Sequence, residues 1–64
     1  MRLNGNNLKL NAPATLQEFL KDQGFDVSKI AVEKNGEIVP KANYEVELLT
    51  DADSLEVVSF VGGG

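Results

Sequence analysis

The sequence predicts an α+β domain in which a mixed sheet of four to five strands packs on one main helix. Three observations predict it. Apolar residues recur with the two-residue period of strands near both ends of the chain, and a single short stretch around residues 15–23 switches to the helical period. Two turn-forming segments, Asn4-Gly5-Asn6-Asn7 and Asn35-Gly36, sit between strand-like pieces where hairpins would close.

Residues 1–11 read as the first hairpin. Met1 and Leu3 share a strand face, Leu8 and Leu10 repeat the period, and the Asn-rich residues between them tolerate positive φ. Past Pro13 the pattern changes. Thr15 with Glu18 three positions on forms a capping box, which satisfies two otherwise unpaired backbone donors. Leu16, Phe19 and Leu20 then fall at i, i+3 and i+4 as one apolar stripe. Gly24 stands where a left-handed residue ends a helix, and Phe25 folds back onto Leu20 as in a Schellman motif.

Ile30 to Lys34 reads as a strand, Asn35-Gly36 as its turn, and Glu37-Ile38-Val39 as the returning strand that Pro40 stops. Residues 41–47 fit two patterns: Ala42, Tyr44 and Val46 alternate, while Lys41-Ala42-Asn43-Tyr44 fits one helical turn. Leu48 and Leu49 are expected to anchor whichever forms. Asp51-Ala52-Asp53 is a turn, and Ser54 to Val61 is the longest strand. A helix that follows a hairpin packs across the apolar sheet face, and the last strand inserts parallel to the first, since the intervening chain supplies the crossover. That order is the β-grasp architecture of ubiquitin-like proteins. The expected organisation is one domain over residues 1–61, followed by a glycine tail at 62–64.

Composition narrows the function. The 64 residues carry 6 Lys+Arg against 10 Asp+Glu, a net charge of −4, with no Cys, His or Trp. A chain this short supports one small core and has little stability to spare for a deep pocket. Without Cys or His there is no thiol nucleophile, no Ser-His relay and no Cys/His zinc site. A mildly acidic chain is ill suited to a phosphate backbone, so no nucleic-acid partner is expected. No apolar run approaches the ~20 residues of a membrane span, and Met1-Arg2-Leu3-Asn4 lacks the basic start and apolar stretch of a secretion signal. The expected compartment is the cytoplasm, with no membrane partner. Asp51 and Asp53 are explained by turn formation, and Glu45 and Glu47 by a solvated face.

Two features remain. In Leu55-Glu56-Val57-Val58-Ser59-Phe60-Val61, Leu55 and Val57 share one face, while Glu56 marks the other as wet and leaves Val58 and Phe60 as exposed apolar groups. The final Gly62-Gly63-Gly64 has no side chains to bury and costs more backbone entropy to order than any other residue type. One explanation is a frayed end without function. The other is a thread that enters a narrow slot in an enzyme and offers the Gly64 carboxylate unhindered.

The chain resembles the small sulfur-carrier family of bacterial thiazole (thiamin) synthesis, and more distantly the molybdopterin-synthase sulfur carrier and ubiquitin. The resemblance rests on Ile30-Ala31-Val32-Glu33-Lys34-Asn35-Gly36-Glu37-Ile38-Val39-Pro40-Lys41, on Tyr44, on the Asp51-Ala52-Asp53 turn and on Phe60-Val61-Gly62-Gly63-Gly64. Family members usually place Gly where this chain has Ala52, an apolar residue where it has Lys34, and another small residue where it has Gly62. The resemblance implies a protein substrate rather than an enzyme. A ubiquitin-activating-like adenylyltransferase would use ATP and magnesium to convert the Gly64 carboxylate to an acyl-adenylate. Sulfur arriving by a cysteine desulfurase route would then give a Gly64 thiocarboxylate, which thiazole synthase would consume. No cofactor would bind the carrier itself. The resemblance also implies an apolar partner-binding patch at Ile38 and Val58, with Phe60 and Val61 leading Gly62 and Gly63 into the partner. The alternatives are a carrier or modifier of the same fold for molybdopterin synthesis or protein conjugation, and a plain β-grasp interaction module.

Overall fold

The structure, a computed structural model, describes residues 1–60. The first strands, β1 (Arg2–Leu3) and β2 (Asn6–Asn7), form a short hairpin whose turn residues Asn4 and Gly5 sit at φ 51° and 84°. Asn and Gly tolerate those angles, which close a two-residue turn with the twist that paired strands need. Met1 and Leu8 exchange backbone hydrogen bonds of 2.9 Å in both directions and so lengthen the pairing by one step.

Next come β3 (Ala14–Thr15) and α1 (Leu16–Asp22). The Thr15 hydroxyl oxygen accepts from the Glu18 N–H at 3.2 Å, and the Glu18 carboxylate accepts from the Thr15 N–H at 3.0 Å, completing the capping box. At the other end Gly24 (φ 86°) donates to the Lys21 carbonyl and Phe25 to the Leu20 carbonyl, both at 3.0 Å, which is the Schellman pattern. A 3₁₀ turn at Val27–Lys29 leads into β4 (Ile30–Lys34), and Asn35 and Gly36 (φ 53° and 88°) close the hairpin to β5 (Glu37–Ile38). The ambiguous segment resolves as a second 3₁₀ turn at Lys41–Asn43, so the helical pattern prevails over the alternating one. Then follow β6 (Leu48–Leu49) and β7 (Ser54–Ser59).

The main sheet has the strand order β2-β1-β7-β4-β5. β7 runs parallel to β1, as the crossover argument required, and antiparallel to β4. A second ladder, β3 with β6, was not expected; Ala14 pairs with Leu49 and Thr15 with Leu48. It corrects the reading of Leu48. Leu49 is buried and anchors the segment, whereas Leu48 faces solvent. The core joins Leu16, Phe19 and Leu20 of α1 to Ile30, Val32, Leu55 and Val57 of the sheet, closed by Met1, Val39, Tyr44 and Leu49. The five-stranded main sheet on one helix matches the expected class, the ubiquitin-like β-grasp. Ser59 ends β7 in place of Val61; the expected strand end at Val61 and the tail of Gly62, Gly63 and Gly64 lie outside the described residues.

Both turn asparagines also serve the sheet. The Asn4 side chain accepts from the Val57 N–H at 2.7 Å and donates to the Val57 carbonyl at 3.2 Å, continuing the parallel ladder where β1 turns away. The Asn35 side chain accepts from the Ser54 N–H at 2.9 Å and donates to Asp53 at 2.9 Å. Lys34, the departure from an apolar family pattern, is opposite Leu55 and therefore starts on the inner face. Its stem reaches the rim and its ammonium donates to Glu47 (2.7 Å) and to the Leu48 carbonyl (3.0 Å), with Asp53 at 3.8 Å. The Glu47 hydrogen bond outweighs burial and holds Lys34 above the usual lysine range. Glu47 is thus half of an ion pair, not a residue of a purely solvated face.

Two turn carboxylates set the acid behaviour of the fold. Asp51 lies below the usual range because the Leu10 N–H donates to it at 2.8 Å. Burial pushes Asp53 up, but hydrogen bonds from Asn35 and Thr50 and the nearby Lys34 ammonium together hold it low. The unfolded chain therefore takes up protons first, near the unperturbed value of about 3.9. The stability these groups supply is present above that value and is lost as pH falls through their lowered folded values. Urea midpoints measured across a pH series should fall steeply in acid. Asp53→Asn should start lower at pH ~6 and show a shallower acid decline, since one linked proton is gone.

Candidate functional site

β7 is central, so its two-residue period assigns every side chain to the core or to the open face of the sheet. Leu55 is fully buried and Val57 nearly so, while Glu56 and Val58 face out. Val58 is 60% exposed and Phe60, one residue past the strand, 49%. Ala31 lies opposite Val58, and Glu33 lies opposite both Glu56 on β7 and Ile38 on β5. Residues that pair directly share a face. The outer surface therefore reads as one row of Glu56, Glu33 and Ile38, followed by a row of Val58 and Ala31.

That register refines the expected patch. Ile38, 72% exposed, is on the same face as Val58, with the β4 strand and its exposed Ala31 and Glu33 between them. Val58 and Phe60 lie along one line towards the end of β7. Val61, Gly62, Gly63 and Gly64, also named as site residues, lie outside the described residues. The Phe60 N–H donates to the Lys29 carbonyl at 3.0 Å beside the start of β4.

The face has an electrostatic feature that strand reading alone does not give. Glu33 and Glu56 are exposed, directly opposed across the ladder, and neither forms an ion pair among the described residues. Like charges in that arrangement destabilise a sheet. Only the β4–β7 register reveals the pair, because 23 positions of sequence separate them. A second exposed apolar pair, Val46 and Leu48, belongs to the β6 region. Elsewhere the surface offers little chemistry. Among the described residues no group of three Asp or Glu could hold a metal ion, and no helix is long and apolar enough to cross a membrane. The groove between α1 and the residues before β3 is open, about 530 Å³, and lined by Leu10, Pro13, Phe19 and Lys21 among others.

The strand order and the single packed helix place the molecule among ubiquitin-like β-grasp proteins, with two of its exposed apolar residues, Val58 and Phe60, at the end of β7. The model of the ThiS family matches residues 1–64, and the chain belongs to that family. It is 37% identical over 65 residues to the sulfur carrier protein ThiS of Bacillus subtilis, covering all of this chain and 98% of that protein. It is 44% identical over 62 residues to a thiazole synthase of Paramagnetospirillum magneticum, which takes in 97% of this chain. The chain spans only about a fifth of the length of the thiazole synthases it matches. Among solved structures, the thiamine biosynthesis protein ThiS of Geobacter metallireducens superposes with a TM-score of 0.83 at 24% identity, over 98% of this chain and 96% of that one. At that identity the likeness bears on the fold alone.

The facing of β7 is directly testable by circular dichroism and urea melts. Leu55→Asp places an unpaired charge in the core and should leave the chain unfolded at 25 °C. Val58→Asp, three residues on, should stay folded and lose less than about 1 kcal/mol. A larger loss in Val58→Asp would mean that the two faces are reversed, and equal losses would mean that the two positions do not differ in burial.

Proposed function

We propose that this chain is the sulfur carrier for thiazole formation in thiamin synthesis, and that it is a protein substrate rather than a catalyst. Its working group is the carboxylate of Gly64, taken as the last residue of the working protein. The observation that carries the reading is an exposed apolar line, Val58 and Phe60, running along the outer face to the end of the described chain, just before Gly62-Gly63-Gly64. Full-length similarity to a sulfur carrier supports it. So does the occurrence of a chain-length match within thiazole synthases, since a segment built into one such enzyme is suited to work beside another.

The chemistry follows from the reactivity of a carboxylate, which is a poor electrophile until its oxygen becomes a good leaving group. An adenylyltransferase of the ubiquitin-activating kind joins Gly64 to the α-phosphate of ATP, using magnesium, and releases pyrophosphate. A persulfide delivered from a cysteine desulfurase attacks the acyl carbon and expels AMP. A thiol supplied in trans then cleaves the sulfur–sulfur bond and leaves the thiocarboxylate. Every thiol in that sequence belongs to a partner, because this chain has no Cys. Thiazole synthase takes the sulfur and returns the carboxylate, and the cytoplasm supplies all these components.

Within this scheme the domain contributes recognition. Val58 and Phe60, with Ile38 across β4 and Val61 beyond, meet apolar partner groups, while Gly62 and Gly63 present bare backbone that a narrow channel can enclose. The opposed Glu33 and Glu56 cost the sheet some stability, and such a cost, beside exposed apolar residues, is expected where a surface is shaped for a partner.

Pyrophosphate–ATP exchange by the activating enzyme tests the reading. Deleting Gly64 should abolish exchange while the urea midpoint stays unchanged. Val58→Asp should raise the KM for the carrier about tenfold or more by burying an unpaired charge in an apolar contact. Normal exchange by the truncated chain would remove Gly64 as the reactive residue.

A further inference from the structure

The 3₁₀ turn at Lys41–Asn43 does more than connect two strands. It brings the Lys41 ammonium over the ring of Phe60, 5.6 Å from the centroid. This distance lies within the range in which a cation is held by the negative face of an aromatic ring. Phe60 is held twice, from independent elements: its backbone N–H by the Lys29 carbonyl at 3.0 Å, and its ring by Lys41 from the segment that follows Pro40. The backbone bond fixes the main chain beside Lys29, and the cation over the ring favours one orientation of the side chain. Core packing does not supply the second hold, because Phe60 is half exposed. Asp26, at the head of the Val27–Lys29 turn, is the acidic group that feels both Lys29 and Lys41. Hydrogen bonds from the Ser28 hydroxyl (2.6 Å) and N–H (3.0 Å) already occupy its carboxylate oxygen Oδ1. No carboxylate lies within ion-pair distance of Lys41 among the described residues, which leaves its ammonium to the ring.

We propose that Lys41 is a positioning residue for Phe60: by resting over the ring it holds that side chain in one orientation at the end of the outer face. The inference rests on the reading of Phe60 as part of the surface a partner enzyme receives. A partner pocket accepts one orientation of the ring, so loss of the grip reduces the fraction of carrier ready to bind. The apparent affinity falls by that fraction, and the step after binding is untouched.

The test is a double-variant cycle in pyrophosphate–ATP exchange with Lys41→Met, Lys41→Arg, Phe60→Leu, and Lys41→Met combined with Phe60→Leu. Lys41→Met should raise the KM for the carrier about two- to five-fold, with kcat unchanged. Lys41→Arg keeps a cation over the ring and should restore the wild-type KM. In the Phe60→Leu background Lys41→Met should add nothing. An unchanged KM in Lys41→Met overturns the proposal. So does an equal penalty in both backgrounds, which would mean that Lys41 touches the partner directly. A parallel measurement on the free protein needs no partner. The Lys41 ε-methylene protons should be shifted upfield by the Phe60 ring, lose that shift in Phe60→Leu, and the Phe60 ring resonances should move in Lys41→Met. Absence of these shifts also overturns the proposal. A wild-type chain that supports no exchange at all but shows the shifts would instead overturn the function proposed above and leave the grip standing.

Discussion

The fold depends on the lodging of β7 between β1 and β4. Every other strand of the main sheet is reached through it: β1 and its hairpin on the parallel side, β4 and its hairpin on the antiparallel side. Ordinary ladder bonds are reinforced where the two hairpins end, since Asn4 grips the backbone of Val57 and Asn35 that of Ser54. Each asparagine thus meets two demands at once, a left-handed backbone and a side-chain clip. Because β7 is fixed on both sides its register has no freedom, and a slip of one residue would expose Leu55 and Val57 and bury Glu56. The same constraint that builds the core therefore decides which side chains face outward.

From that arrangement comes a division of labour. Everything that stabilises the domain lies on the inner face and in the turns: the α1 stripe, the Leu55 and Val57 pair, the Lys34–Glu47 ion pair and the carboxylates at 51 and 53. The outer face around Val58, Phe60, Glu33 and Glu56 contributes no core packing. A small domain gains from this separation, because a surface can be shaped for another molecule without weakening the core that carries it. The likeness to part of a thiazole synthase fits a module of this kind, compact enough to stand alone or to be built into a longer chain.

Much of this was legible in the residues, and the exceptions share a cause. α1 was readable because Thr15, Glu18 and Gly24 act within a few residues of one another, and both hairpin turns were readable because Asn-Gly carries its own backbone preference. The inward and outward sides of β7 followed from parity once Glu56 was taken as wet. What could not be read depended on contacts between distant segments. β3 and β6 are two residues each, too short for any period, and Leu48 was misjudged because only its pairing with Thr15 turns it to solvent. Lys34 looked out of place until Glu47, thirteen positions away, supplied its counter-charge. Likewise the positions of Ile38 on β5 and Val58 on β7, one strand apart on the same face, came only with the β4 register.

The central proposal is that the group which reacts is the carboxyl of Gly64. Intact-mass spectrometry after incubation with ATP, the activating enzyme, a cysteine desulfurase and its sulfur source tests that claim most directly. The account predicts a gain equal to the exchange of one oxygen for one sulfur, confined to the peptide that ends in Gly64 and reversed by thiazole synthase turnover. An unchanged mass with all components active, or a sulfur located anywhere else in the chain, would contradict it.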